Sequence, residues 1–186
     1  MPTIVHGFDW PDRIVVGTVG EPGSRSFYLQ VRAGSRVTSV ALEKEQSAVL
    51  ARKIEEILDE LMVGDGNPFS IPAVTPVELV DNDPLDQPVE PEFRTGTLGL
   101  GWDPTTVQVV IEAYPLVEAE EESGEGVDDA TVEPAEMLVV RIPVGAARAF
   151  AKRTLEVVGA GRPICPLCGN PMDPEGHICP RPDDTE

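Results

Sequence analysis

Three cysteines and one histidine carry the clearest chemistry in the chain. They stand as Cys165-Pro-Leu-Cys168-Gly169 and Gly176-His177-Ile-Cys179-Pro180, a spacing of C-x2-C-x8-H-x-C. Two thiolates three residues apart reach one ion from a single tight turn, and Gly169 admits the positive φ such a turn often takes. His177 and Cys179 are two residues apart, so on a regular strand they would point to opposite faces. They therefore need an irregular backbone, for which Gly176 and Pro180 are suited. Three sulfurs and one imidazole close a tetrahedral shell around Zn2+ and leave no position for water or substrate, as in structural zinc sites. Iron is the competing metal at such a donor set. A thioredoxin-like redox pair at Cys165 and Cys168 is disfavoured, because no helix pattern follows the CxxC and two further ligands stand close by. Residues 160–186 hold few apolar side chains. Metal binding is thus expected to supply their folding energy, on the order of 10 kcal/mol in small zinc peptides.

The remaining candidates are charges rather than motifs. His6 is the one histidine outside the metal set and reads as surface decoration more readily than as a general base. Arg13, Arg25, Arg32 and Arg36 lie on or beside the first strands. They form either an anion-binding face or partners for the acidic loops. Arg148, Lys152 and Arg153 read as a solvated helix face. GTVGEPG at 17–23 is glycine-rich, but it lacks the Lys-Ser/Thr of a phosphate-binding loop and precedes a strand. No Ser-His-Asp order, HExxH or carboxylate pair stands out.

These groups must be held by elements the periodicity predicts. Strands are expected at 13–20, 25–32 and 36–42; Phe27, Leu29 and Val31 alternate with Tyr28, Gln30 and Arg32. A helix over about 43–62 follows, with Leu50, Ile54, Ile57, Leu58 and Leu61 on one face. Residues 65–91, rich in Pro, Asp and Asn, predict a long loop or extended arm. Strands then recur at 92–101, 106–114 and 136–142. A second helix spans 143–158, with Pro143 in its first turn and Gly159 past its end. Residues 118–134 have no periodicity and read as an acidic disordered loop. GTLG at 96–99 echoes GTVG at 17–20, and the helices align at an offset of one hundred residues, Ala51-Arg52-Lys53 on Ala151-Lys152-Arg153. The expected fold is α+β. Duplicated β-β-β-α units, about 12–63 and 92–159, form an antiparallel sheet core with two helices. The body ends at 159, and a small zinc knuckle occupies 160–186.

Bulk composition narrows the function. The 186 residues are 41% hydrophobic but only 5% aromatic, so the core must be mostly aliphatic. Net charge is −19, and residues 65–140 hold 18 acidic side chains against one basic. That middle region repels phosphate backbones and argues against nucleic acid as a partner. No apolar run is long enough to span a bilayer. MPTIVHGFDWPDR has neither the basic nor the apolar region of a secretory leader. Clustered cysteines beside a histidine fit a metal site in a reducing cytoplasm better than disulfides.

The pieces PDRIVVGTVGEPGSRSFYLQ, VTSVALEKEQ and CPLCGNPMDPEGHICPR together resemble an actinobacterial domain-of-unknown-function family, also called a repeat protein. The resemblance spans nearly the whole chain, with all four zinc ligands present. It implies a cytoplasmic bacterial setting and no particular reaction. The leading expectation is a non-enzymatic zinc-binding module for a protein partner. The alternatives are an enzyme or sensor for a small anionic or phosphorylated ligand, and a nucleic-acid regulator using the tail with Arg162 and Arg181. Elemental analysis of natively purified protein should find about one zinc per chain, and Cys168→Ser should release it; metal-free native protein would refute the ligand assignment.

Overall fold

The computed structural model describes residues 3–21, 24–64, 66–117 and 135–159. The acidic stretch 118–134 and the tail with Cys165, Cys168, His177 and Cys179 lie outside the described residues. Seven strands and two helices make an α+β body. In chain order they are β1 (Ile4–Asp9), β2 (Arg13–Val19), β3 (Ser26–Ala33), β4 (Arg36–Leu42), α1 (Lys44–Val63), β5 (Pro91–Asp103), β6 (Gln108–Pro115), β7 (Glu136–Pro143) and α2 (Val144–Gly159). The strands form one sheet in the order β1-β7-β6-β5-β4-β3-β2.

The sheet is mixed, where an antiparallel one was expected. The runs β2-β3-β4 and β5-β6-β7 are antiparallel meanders, each followed by a helix. They join through a parallel pairing of β4 with β5. The physical reason is the connection: α1 and the arm after it carry the chain back to the starting end of the sheet, so β5 must run with β4. The seventh strand, β1, was not anticipated. It pairs parallel to β7, Ile4 opposite Glu136 and Phe8 opposite Val140.

One connection dictates the curvature. β1 and β2 are the two edges of the sheet, yet only Trp10, Pro11 and Asp12 separate them in the chain. Seven flat strands would hold the edges about 29 Å apart at the usual spacing. The chain from Asp9 to Arg13 reaches about 14 Å. The sheet must therefore curl until its edges approach at this end. Contacts across the gap fit that geometry. Gly34 donates its backbone N–H to Asp12 Oδ2 at 2.6 Å, and Arg36 donates to the Gly7 carbonyl at 2.9 Å. The Arg36 guanidinium also covers the Phe8 ring at 4.0 Å.

Strand alternation supplies the core on one face of this sheet. Val16, Leu29 and Val40 are cross-strand neighbours, as are Leu100, Ile111 and Val140, and they pack with Leu50, Ile54, Leu58 and Phe150 of the helices. Helix α1 starts at a capping box, in which the Glu43 N–H donates to Gln46 Oε1 at 2.8 Å. Strand β5 passes from β4 to β6 through an irregularity at Gly96, where a Cβ would stand 2.7 Å from the Leu116 Cα.

The arm is ordered by polar bonds on both sides of edge strand β2. On the helix side, Arg148 donates to the Pro72 carbonyl at 2.9 Å and to Asp59 Oδ1 of α1 at 2.9 Å. The arm makes a 3-10 turn at Val77–Leu79 beside Gly145 and rounds β2 at Asp81. On the far side, Gln30 and Asp86 exchange two hydrogen bonds, at 3.0 and 2.7 Å. Leu85 is buried against Gly17, where a Cβ would come within 2.5 Å of its Cγ. The arm thus shields an edge that otherwise offers free backbone groups to another chain. Gly17→Ala should cost about 1–3 kcal/mol by denaturant melt. Adding Leu85→Ala should cost less than the sum of the two single changes, and strict additivity would disprove the contact.

Candidate functional site

A cavity of about 300 Å³ opens where the two sheet edges meet the second helix. Its apolar walls are Ile14 of β2, Ile142 of β7, Leu79 of the arm, and Ala146, Ala149 and Phe150 of α2. Arg13, Asp81 and Arg153 bring charge into it, and Trp10 stands at its rim. Each reaches the site for a local reason. Arg13 begins β2 directly after the link, Arg153 is one turn on from Phe150 along α2, and Asp81 is the point where the arm rounds β2.

The charges are tightly bonded. Arg13, 9% exposed, donates from Nε to Asp81 Oδ2 at 2.6 Å and from Nη2 to Asp81 Oδ1 at 3.1 Å. The same nitrogen reaches the carbonyls of Asp83 and Pro84 at 2.9 and 3.0 Å. Arg153, also 9% exposed, donates from Nε to the Val16 carbonyl of β2 at 3.1 Å. Its Nη1 donates to the Asp81 carbonyl at 2.7 Å and to Asp81 Oδ1 at 3.2 Å. One carboxylate is therefore shared between two buried guanidiniums. The hydrogen bond from Arg13 holds the Asp81 carboxyl below its ordinary value of 3.8, against the opposing effect of burial. The same bond raises Arg13. Burial is the main effect on Arg153 and lowers it; a guanidinium nevertheless keeps its proton.

Trp10 is the strained member. Its φ is +55°, left-handed for a bulky residue that also precedes a proline. Such a conformation costs on the order of 1–3 kcal/mol and persists only where neighbours over-determine it. Here the Trp10 N–H is bonded to the Arg141 carbonyl at 3.1 Å, and Asp9 is fixed by Gln108 at 2.8 Å. Trp10 as a residue is left 63% exposed.

The four arginines singled out in the sequence are not one cluster. Arg13 and Arg32 are paired across β2 and β3 and meet at Asp86, with ion-pair distances of 3.5 and 3.0 Å. Arg25 bonds the Val157 carbonyl at 3.1 Å and lies over Phe27. Arg36 is taken up by Gly7 and Phe8. Arg148 and Arg153 are buried, contrary to the solvated face expected of α2, because the arm covers that side of the helix; Lys152 is exposed and pairs with Glu156 at 3.1 Å. Trp10, Asp81 and Arg153 were missed as site residues. The available signals were a tryptophan before a proline between two strands, and an arginine three residues from Phe150 on the apolar stripe.

A second group lies apart from the cavity. Donor atoms of His6, Glu92 and Glu136 stand within 4.8 Å of one another. His6 Nε2 is already 3.2 Å from Glu136 Oε1, and the Glu92 side chain is exposed, so a hydrogen bond between His6 and Glu136 accounts for their approach. Among the described residues, no helix is long and apolar enough to cross a membrane.

The body is thus a two-helix α+β protein on a curled mixed sheet, with a small apolar pocket lined by bonded arginines. The chain belongs to the family described as Protein of unknown function (DUF3090), whose model matches residues 6–179. No curated protein and no solved structure matches the chain.

Asp81→Asn leaves Arg13 and Arg153 buried without their shared charge and should cost about 3 kcal/mol at pH 7. Because the folded-state pKa of Asp81 is depressed, its contribution is fully present above 3.8 and is lost as pH falls through the lowered value. The stability gap between wild type and variant should therefore narrow below pH 3.8, and a gap constant with pH would contradict the assignment.

Proposed function

We propose that the protein is a non-enzymatic regulatory binding protein of the actinobacterial cytoplasm. In this reading the body recognises its target at the pocket. The tail, pinned by one structural zinc on Cys165, Cys168, His177 and Cys179, is a docking element for a protein partner. The observation that carries the reading is the chemistry of the groups converging on the pocket. Two buried guanidiniums hold anions but do not exchange protons at neutral pH, and a tryptophan offers contact area. The three thiolates and one imidazole of the tail support a closed, structural metal for the same reason of chemistry.

We read the body as a duplicated β-β-β-α unit. Support comes from burial at the hundred-residue offset: Val40 and Val140, Leu42 and Ile142, Leu50 and Phe150, Ala51 and Ala151, and Ile54 and Thr154 are all buried. The physical sense is that each meander and helix completes its core only against the other.

A second reading, a sensor for a small anionic ligand, is favoured by one nitrogen of Arg153 that has no hydrogen-bond partner among the described residues, taken up below. Tagged full-length protein should retain a specific partner from native extract. Either Ala149→Phe, which fills the pocket, or Cys168→Ser should release it. Retention of the same partner by both variants would overturn the reading.

A further inference from the structure

We infer that the pocket takes a small organic monoanion, a carboxylate carried on a planar ring. The inference deepens the reading of the pocket as the recognition element and rests on it. The carboxylate would sit on Arg153. Nε and Nη1 of that guanidinium are bonded to Val16 and Asp81, whereas Nη2 has no hydrogen-bond partner among the described residues. The side chain is nine-tenths buried and lines the cavity. Among the described residues the buried side-chain atom left without a partner is Thr95 Oγ1, so Nη2 is reached by solvent, and a carboxylate entering the cavity that Arg153 lines would take the place of that water.

The ring follows from the walls. Ile142, Ala146 and Phe150 are apolar, and the exposed, left-handed Trp10 places an indole at the mouth. Aromatic faces prefer offset or edge contact with another ring. Size and charge narrow the class further. A cavity of about 300 Å³ is at the small end of ligand pockets. The Asp12 carboxylate, held by the Gly34 N–H, borders the same space, and Asp81 already occupies part of the guanidinium pair. A polyanion would be repelled there; one negative charge is not.

The chain has two tryptophans. Trp102 packs edge-on against Phe69 with ring centroids 5.1 Å apart, so Trp102→Phe leaves Trp10 as the sole indole reporter. Benzoate titrated into zinc-loaded full-length protein of that background should change Trp10 emission saturably, with a Kd of about 1 mM or tighter. Benzamide, acetate and phenyl phosphate should give weaker responses or none. Adding Arg153→Gln should abolish the benzoate response. Ala149→Phe should do the same while leaving the bonds of Arg153 to Val16 and Asp81 in place, which guards against a variant that merely unfolds. Equal responses to benzoate and benzamide, a response that survives Ala149→Phe, or no response to benzoate each overturn the ligand class. If benzoate is silent while Ala149→Phe still releases the protein partner, the ligand class alone fails; if partner capture is also indifferent to that change, the pocket reading fails with it.

Discussion

The link Trp10–Asp12 constrains everything around it. It ties together strands that lie at opposite edges of a seven-stranded sheet. A chain this short permits only a curled sheet, and a curled sheet has a concave face, on which α1 and α2 pack as the second layer. Curling also brings the ends of β1, β2 and β7 to the start of α2, and the space left among them is the pocket. The strain at Trp10 belongs to the same constraint. A residue that ends one edge and turns into the other is held by the Arg141 carbonyl behind it and Pro11 ahead. The fold tolerates the left-handed backbone because both neighbouring strands are fixed by long hydrogen-bonded ladders.

The acidic middle of the chain acquires a structural role from the arm. Asp81 and Asp86 are spent on Arg13, Arg32 and Arg153. Partly buried pairs of this kind contribute little net stability beyond what apolar replacements would give, since desolvation opposes attraction. They do specify geometry. The bidentate match of Arg13 to Asp81 fixes where the arm rounds β2, and Leu85 on Gly17 fixes its depth on the far side. Together they cover an edge strand whose Val16 carbonyl is met by Arg153.

Much of the architecture was legible in local pattern. The strand at 36–42 and both helices follow from alternation, 3.6-residue spacing and terminal Gly and Pro, signals that each segment carries within itself whatever it later packs against. β1 was not legible. Ile4–Asp9 carries His6-Gly7 at its middle, and its partner β7 lies some 130 residues away. The parallel joint between β4 and β5 was equally hidden, since strand direction across a long crossover leaves no mark on either strand. The site was half visible. Arg13 and Arg32 meet because they face each other in register, but nothing near Arg153 in the chain announces that an arm from residues 72–86 will bury it. The zinc ligands were read from spacing alone and lie outside the described residues.

Comparison of the two helices at the hundred-residue offset shows where the halves part company. Their apolar positions coincide in burial, yet Lys53 of α1 is exposed and paired with Glu56 at 3.2 Å, whereas Arg153 of α2 is buried under the arm. Ala48 is likewise matched by Arg148, whose guanidinium joins the arm to α1. If both halves derive from one unit, as proposed, the core positions kept a common role while the second helix gained charges the first lacks. Of those charges, Arg153 lies where edge strand β2, the arm and the Trp10 link converge. A buried arginine is a poor means of stabilising a helix and a good means of holding an anion in a fixed orientation. Under the proposed reading of the pocket, the second half would contribute the anion-holding charge of Arg153, and the first half Arg13, Ile14 and the Trp10 link that face it.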